Sequence, residues 1–120
     1  MPRQSIELKR VYEQPSADDG IRILVERLWP RGVSKSTAAI EHWVKDIAPS
    51  PLLRAWYKHD QERWAEFGRR YRAELKANKE AVGTLRNLIS GKRVTFVFAT
   101  KDAEHSSAKI LRDFLLKSKT

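Results

Sequence analysis

The chain reads as a small three-layer α/β domain, with a mostly parallel sheet of about four strands flanked by helices. Strand-like runs alternate along the sequence with segments whose apolar residues recur at three- and four-residue steps, the order expected of a βα-type fold. The stretches 21–28 and 94–99 are also rich in β-branched and aromatic residues and nearly continuous in apolar character. Strands buried on both faces look like this, whereas a sheet wet on one face alternates throughout. A length of 120 residues fits one domain, spanning 1–120, with a single core.

Each element has a local justification. Residues 6–12 alternate apolar and polar positions, as a half-exposed edge strand does. The segment 14–20 is a loop by composition, and its closing Asp19-Gly20 is a turn signal. This loop is short, so the first strand can pair either antiparallel or parallel with its neighbours. Residues 21–28 form the second strand and run into Trp29-Pro30-Arg31-Gly32, a shaped and stiff turn. Ser36 can cap a short helix to about His42, and residues 43–47 are short enough for a third strand, with a continued helix as the alternative.

Ser50 followed by Pro51 is the grammar of a helix start. Residues 58–60 break the chain, and Asp60 can cap the next helix with Glu62 in its first turn. Trp64, Phe67, Tyr71 and Leu75 then fall on one stripe and predict a core-facing helix, with Tyr71 able to send its hydroxyl toward a pocket. A further helix carries Val82, Leu85, Leu88 and Ile89 and stops near Gly91. Residues 94–99 are the strongest strand signal, and the last helix enters at Ser106 or Ser107 with Ile110, Leu111, Phe114 and Leu115 toward the core.

Composition excludes several classes. With no cysteine there can be no disulfide, thiolate zinc site, iron–sulfur cluster or cysteine nucleophile. Residues 1–5 lead straight toward the first strand without the apolar core of a leader peptide, and no stretch is long enough to cross a bilayer; a cytoplasmic protein without membrane partners is the expectation. A formal charge of +9, from 24 basic against 15 acidic side chains, makes nucleic acid or acidic metabolites plausible partners. The cations are dispersed and interleaved with acids, so no basic arm marks a nucleic-acid tail.

The motif richest in chemistry is Glu26-Arg27-Leu28-Trp29-Pro30-Arg31-Gly32-Val33-Ser34-Lys35, a strand end followed by a turn crowded with cationic donors. Ligands of open α/β sheets bind beyond the carboxyl ends of strands, and a guanidinium there can grip a carboxylate or phosphate with two parallel hydrogen bonds. Parallel topology would bring three loops to that edge, so that Arg27, Arg31, Lys35, Ser50, Arg54, Lys101 and His105 surround one anion site. The plainer reading pairs Arg27 and Arg31 with Glu26, Asp46 or Asp102 in structural ion pairs and makes Trp29 core.

His105 precedes a helix start, where the dipole favours a neutral imidazole that can accept a proton, with Asp102 or Glu104 as its orienter. Asp102 and His105 are therefore the candidate catalytic pair, against a plain helix-capping role for His105. His59 reads as a solvated turn residue beside Asp60. A metal site from His42, His59 and His105 lacks ligand spacing, Ser50 lacks a nucleophile elbow, and phosphate-cradling glycine motifs are missing, so neither metal nor cofactor is expected.

Val11-Tyr12, residues 20–35, Ala48-Pro49-Ser50, His59-Asp60 and residues 101–105 together resemble the YeaO-like family of domains of unknown function, with Arg-Leu-Trp-Pro-Arg-Gly (residues 27–32) as its specific motif. The resemblance spans nearly the whole chain and implies one α/β domain without an established activity. Two departures stand out: Glu26 where the family usually has Asp, and Ser106 where it usually has Asn. The leading expectation is a protein that binds an anionic small molecule at the sheet edge, with or without transforming it. The alternative is a nucleic-acid-binding or regulatory module using the basic helix across 61–79 and the C-terminal helix.

Overall fold

The computed structural model describes residues 5–117; the opening residues 1–4, read above for the absence of a leader, lie outside that range. Four strands, β1 (Ser5–Arg10), β2 (Ile21–Leu24), β3 (His42–Trp43) and β4 (Arg93–Phe98), form one sheet in the order β1–β4–β2–β3. Every pairing is parallel, including that of β1. The first strand therefore does not fold back on its sequence neighbour. It lies beside β4, the strand with the strongest apolar run, which takes the centre. Val94 is opposite Ile6 on one side and Ile21 on the other.

Side chains alternate across this sheet with period two. Ile6, Ile23, Val25, Val94, Phe96 and Phe98 join the larger core, covered by α2 (Pro51–Tyr57), α3 (Trp64–Ala77), α4 (Lys79–Ile89) and α5 (Ser107–Lys117). Val11, Leu24 and Val97 belong to a smaller core on the opposite face, under α1 (Lys35–Ala38) and the turn holding Trp29 and Val33. The result is three layers of unequal thickness. Phe96 and Phe98 are essentially inaccessible to water, each worth roughly 1.5–3 kcal/mol of burial.

The helices follow their sequence signals closely. Ser50 caps α2 by accepting the Leu53 N–H, with Pro51 in the first turn. Asp60 caps a 3₁₀ turn, Gln61–Arg63, that leads into α3. Phe67, Tyr71 and Leu75 are buried along α3, and Trp64 packs partly buried beside them. The Tyr71 hydroxyl donates to the Ile47 carbonyl at 2.6 Å, so it is spent inside the core. Ser106 caps α5, since the Lys109 N–H donates to its carbonyl and its hydroxyl oxygen.

Boundaries differ where tertiary pairing runs out. β2 ends at Leu24 although its apolar pattern continues; Val25 still donates its N–H to the Val97 carbonyl, but Leu28 is 67% exposed. The helix expected to be capped by Ser36 starts two residues earlier, capped by Ser34, and stops at Ala38. The left-handed Ala39 (φ 52°) then releases the chain into β3. That third strand keeps two residues and includes His42, while Lys45–Ile47 tightens into a 3₁₀ turn. Among the described residues, no helix is long and apolar enough to cross a membrane.

Candidate functional site

β2 and β4 end side by side, and the chain segments leaving them shape a cavity of about 80 Å³ at the carboxyl edge of the sheet. Its polar wall consists of Glu26 just beyond β2, Arg54 of α2, His59 in the following turn, Thr100 beyond β4, and His105, Ser106 and Ser107 at the entry to α5. Tyr57, Phe67 and Pro49 supply the apolar remainder. Tyr57 and Phe67 stack at 4.4 Å, which gives this floor a rigid base. Burial and then the nearby Asp102 and Asp60 carboxylates push the Tyr57 hydroxyl above its ordinary range, keeping it neutral.

Arg54 brings the permanent positive charge of the cavity. Ser106, almost wholly buried, and Ser107 place the positive end of α5 on the wall, where a helix start favours anions. His59 (φ 58°) and the preceding Lys58 (φ 50°) both occupy the left-handed region. Such backbone strain in non-glycine residues persists only where surrounding structure holds it, and it concentrates at binding sites.

Glu26 is the unexpected member. Burial pushes its carboxyl above the ordinary glutamate range, against the pull of the Ala99 N–H, Arg54 and His59. The cavity thus holds a carboxyl group that accepts a proton more readily than a surface glutamate.

His105 and Asp102 form a second unit on the rim. His105 Nδ1 lies 2.6 Å from Asp102 Oδ2, and Gln61 donates to the same oxygen at 3.1 Å. The His105 contact, followed by backbone N–H donors, holds the Asp102 carboxyl below its usual range. An ionised carboxylate only accepts, so Nδ1 carries a proton and Nε2 is the ring nitrogen left to gain or lose one. Trp64 meets the ring edge-on at 5.1 Å. This geometry can position His105 to take or share a proton.

The other candidate residues are distributed differently. Arg27 donates to the Ala48 and Pro49 carbonyls at 3.1 and 3.3 Å, tying the end of β2 to the loop before α2. With Ser50 it lines a separate shallow groove that also includes Glu74 and Asn78. Ser50 donates its N–H and hydroxyl to Glu74 at 2.9 and 2.5 Å, so the anion held at the start of α2 is the protein's own carboxylate. Arg31, Lys35 and Lys101 are exposed and stand outside the lining of both hollows; the Arg31 carbonyl accepts the Tyr12 hydroxyl. Trp29 donates its indole N–H to the Val33 carbonyl at 2.7 Å, which closes the Trp-Pro-Arg-Gly turn. Of the basic residues along α3 and its lead-in, Arg63 pairs with Asp60, and both Arg69 and Arg70 pair with Glu66.

Thr100, Ser106, Ser107 and Glu26 were not among the residues chosen from sequence for direct contact. A signal for them existed. Thr100 directly follows the best strand, and Glu26 and Ser106 are the two departures from the family pattern; both line this cavity.

Comparison with known proteins agrees with the family resemblance of the sequence. The model of a family described as the inactive DUF488-N3 subclade matches residues 5–120. The uncharacterised protein Rv3073c of Mycobacterium tuberculosis is 43% identical over 110 residues, 92% of each chain. YeaO of Escherichia coli is 35% identical over 111 residues, covering 92% of this chain and 96% of YeaO. No solved structure gives a significant match. With matches that run nearly end to end, this chain belongs to the YeaO-like family, within the DUF488-N3 subclade described as inactive.

Proposed function

We propose that this protein binds an anionic small molecule whose phosphate or carboxylate group enters the cavity at the carboxyl edge of the sheet. The observation that carries this reading is the convergence of Arg54, His59, His105 and the start of α5 on one hollow of about 80 Å³. A hollow that size admits a head group rather than a whole ligand, since pockets that engulf one are typically about 300–1,000 Å³. Arg54 supplies charge, Thr100, Ser106 and Ser107 supply hydroxyls, and His105 with Asp102 handles a proton shared with the ligand. Arg27 positions the wall through its bonds to the Ala48 and Pro49 carbonyls. Arg31, Lys35 and Lys101 act at longer range, through the positive field that draws an anion to this edge. The word inactive in the family description favours binding over turnover.

The test is thermal stabilisation of wild type, Arg54→Ala and Arg31→Ala by inorganic phosphate, sugar phosphates, nucleotides, small carboxylates and short DNA, at low and high salt. A ligand present at a hundred times its Kd adds about 2.7 kcal/mol to stability. The expected result is a shift with a small anion that survives high salt, disappears in Arg54→Ala and is retained in Arg31→Ala. An undiminished shift in Arg54→Ala, or a shift with DNA alone that collapses in salt, overturns the proposal.

A further inference from the structure

A second hollow, of about 600 Å³, lies between the end of α3, the middle of α4 and Phe114 of α5, away from the sheet edge. Leu75, Val82, Gly83 and Phe114 make its apolar surface, and Lys76, Lys79 and Arg86 are the charged residues of its lining. The neighbouring hollow between α3 and α5 includes Glu104 and Asp113, whereas this lining holds no carboxylate. Among the described residues, Lys76 and Lys79 form no ion pair with an acidic side chain.

Two further observations point to an occupant. Arg86 spends one guanidinium nitrogen on the Leu115 carbonyl at 3.1 Å, while its Nε and second terminal nitrogen are shielded from solvent without a hydrogen-bond partner among protein groups. Among the described residues Arg86 has no acidic partner, and an anion in the hollow it lines supplies counter-charge through space. Gly83 lies inside α4, where glycine weakens a helix. A Cβ built there meets nothing within 4 Å, so the protein's own packing does not require glycine. Its bare backbone leaves the hollow open.

We infer that this hollow is a second binding site, for an amphipathic small-molecule anion whose apolar body lies on Gly83, Val82, Leu75 and Phe114 and whose carboxylate faces Lys76, Lys79 and Arg86. The site is independent of the cavity at the sheet edge. It requires both halves of the ligand: the apolar body for burial and the negative head for the three cations.

Isothermal titration calorimetry with decanoate, acetate and decyltrimethylammonium tests this on the full chain and on Arg54→Ala, alone and combined with Gly83→Leu or Arg86→Met. Gly83→Leu fills the hollow with a better helix former, so its melting temperature should stay level or rise while decanoate binding is lost. Arg86→Met should weaken decanoate by roughly ten-fold or more, the usual consequence of removing a charged partner. A saturable decanoate site should persist in Arg54→Ala, where the sheet-edge cavity has lost its fixed charge, which separates this site from the first. Saturable one-to-one binding of decanoate in the Arg54→Ala background, with neither acetate nor the cationic amphiphile binding there, is the expected pattern. No saturable decanoate binding, equal binding of the cationic amphiphile, or undiminished decanoate binding by a folded Gly83→Leu protein overturns the inference.

Discussion

A methyl group at Gly20 would lie 2.1 Å from the Arg93 carbonyl oxygen, on a residue whose φ is 66°. The turn between β1 and β2 is pressed against the first residue of β4, and only glycine allows both the close approach and the backbone angle. Gly20→Ala should therefore destabilise the fold by about 1–3 kcal/mol. Gly83 has open space where the methyl would go, and Gly83→Ala should stabilise by about 0.4–1 kcal/mol. Urea denaturation of the two variants checks both signs at once. The same residue type thus has opposite consequences, and the turn signal at Asp19-Gly20 anticipated only the first.

The thin face of the sheet depends on the element joining β1 to β2. Its 3₁₀ turn, Ala17–Asp19, folds Asp19 back under the sheet, capped by Ser16. There Asp19 Oδ2 accepts from Arg22 of β2 at 2.7 Å, and Lys9 of β1 lies 3.2 Å from Oδ1. Thr95 of β4 donates its hydroxyl to the Asp19 carbonyl at 2.8 Å, and Arg22 donates to the Ala38 carbonyl at 2.8 Å. One short turn therefore joins β1, β2, β4 and α1 through polar bonds on the face with the smaller apolar core. Removing the carboxylate strands Arg22, which is only 3% exposed. Asp19→Ala should cost about 3–5 kcal/mol, read as a lower urea midpoint, with Asp19→Asn affected less because it keeps an acceptor oxygen.

At the scale of the whole molecule, stability should follow pH through two carboxyls shifted in opposite directions. Burial raises the Asp19 carboxyl, but the Ser16 N–H, Lys9 and Arg22 outweigh it and leave it below its ordinary value. Its contribution is present above the usual aspartate range and is lost as pH falls through the depressed folded value. Glu26 is raised by burial, so its contribution is present below the usual glutamate range and is lost as pH rises through the raised folded value. Glu26→Gln keeps an acceptor for the Ala99 N–H and removes the buried charge. It should melt higher than wild type at neutral pH, with the difference closing toward acid; melting curves across pH read this directly. The charge distribution belongs to the same scale. The 24 basic residues include Arg63, Arg69 and Arg70 at and along α3, which are committed to Asp60 and Glu66, so the count of basic residues overstates the cations available to a polyanion.

The sequence by itself determined the α/β class, the strand and helix order, the Ser50–Pro51 helix start, the stripe along α3 and the family. Each is encoded locally, in periodicity, caps and a contiguous motif. It also pointed to the carboxyl edge of the sheet, because parallel strands end together there. Tertiary structure alone decided that β1 lies beside β4, since a parallel partner is chosen by packing across a whole layer. It alone showed that Glu74 occupies the start of α2, and that Glu26, Thr100 and Ser106 share a wall with Arg54 and His105. Those residues are separated by up to eighty positions in the chain, and only the folded sheet brings them to one cavity.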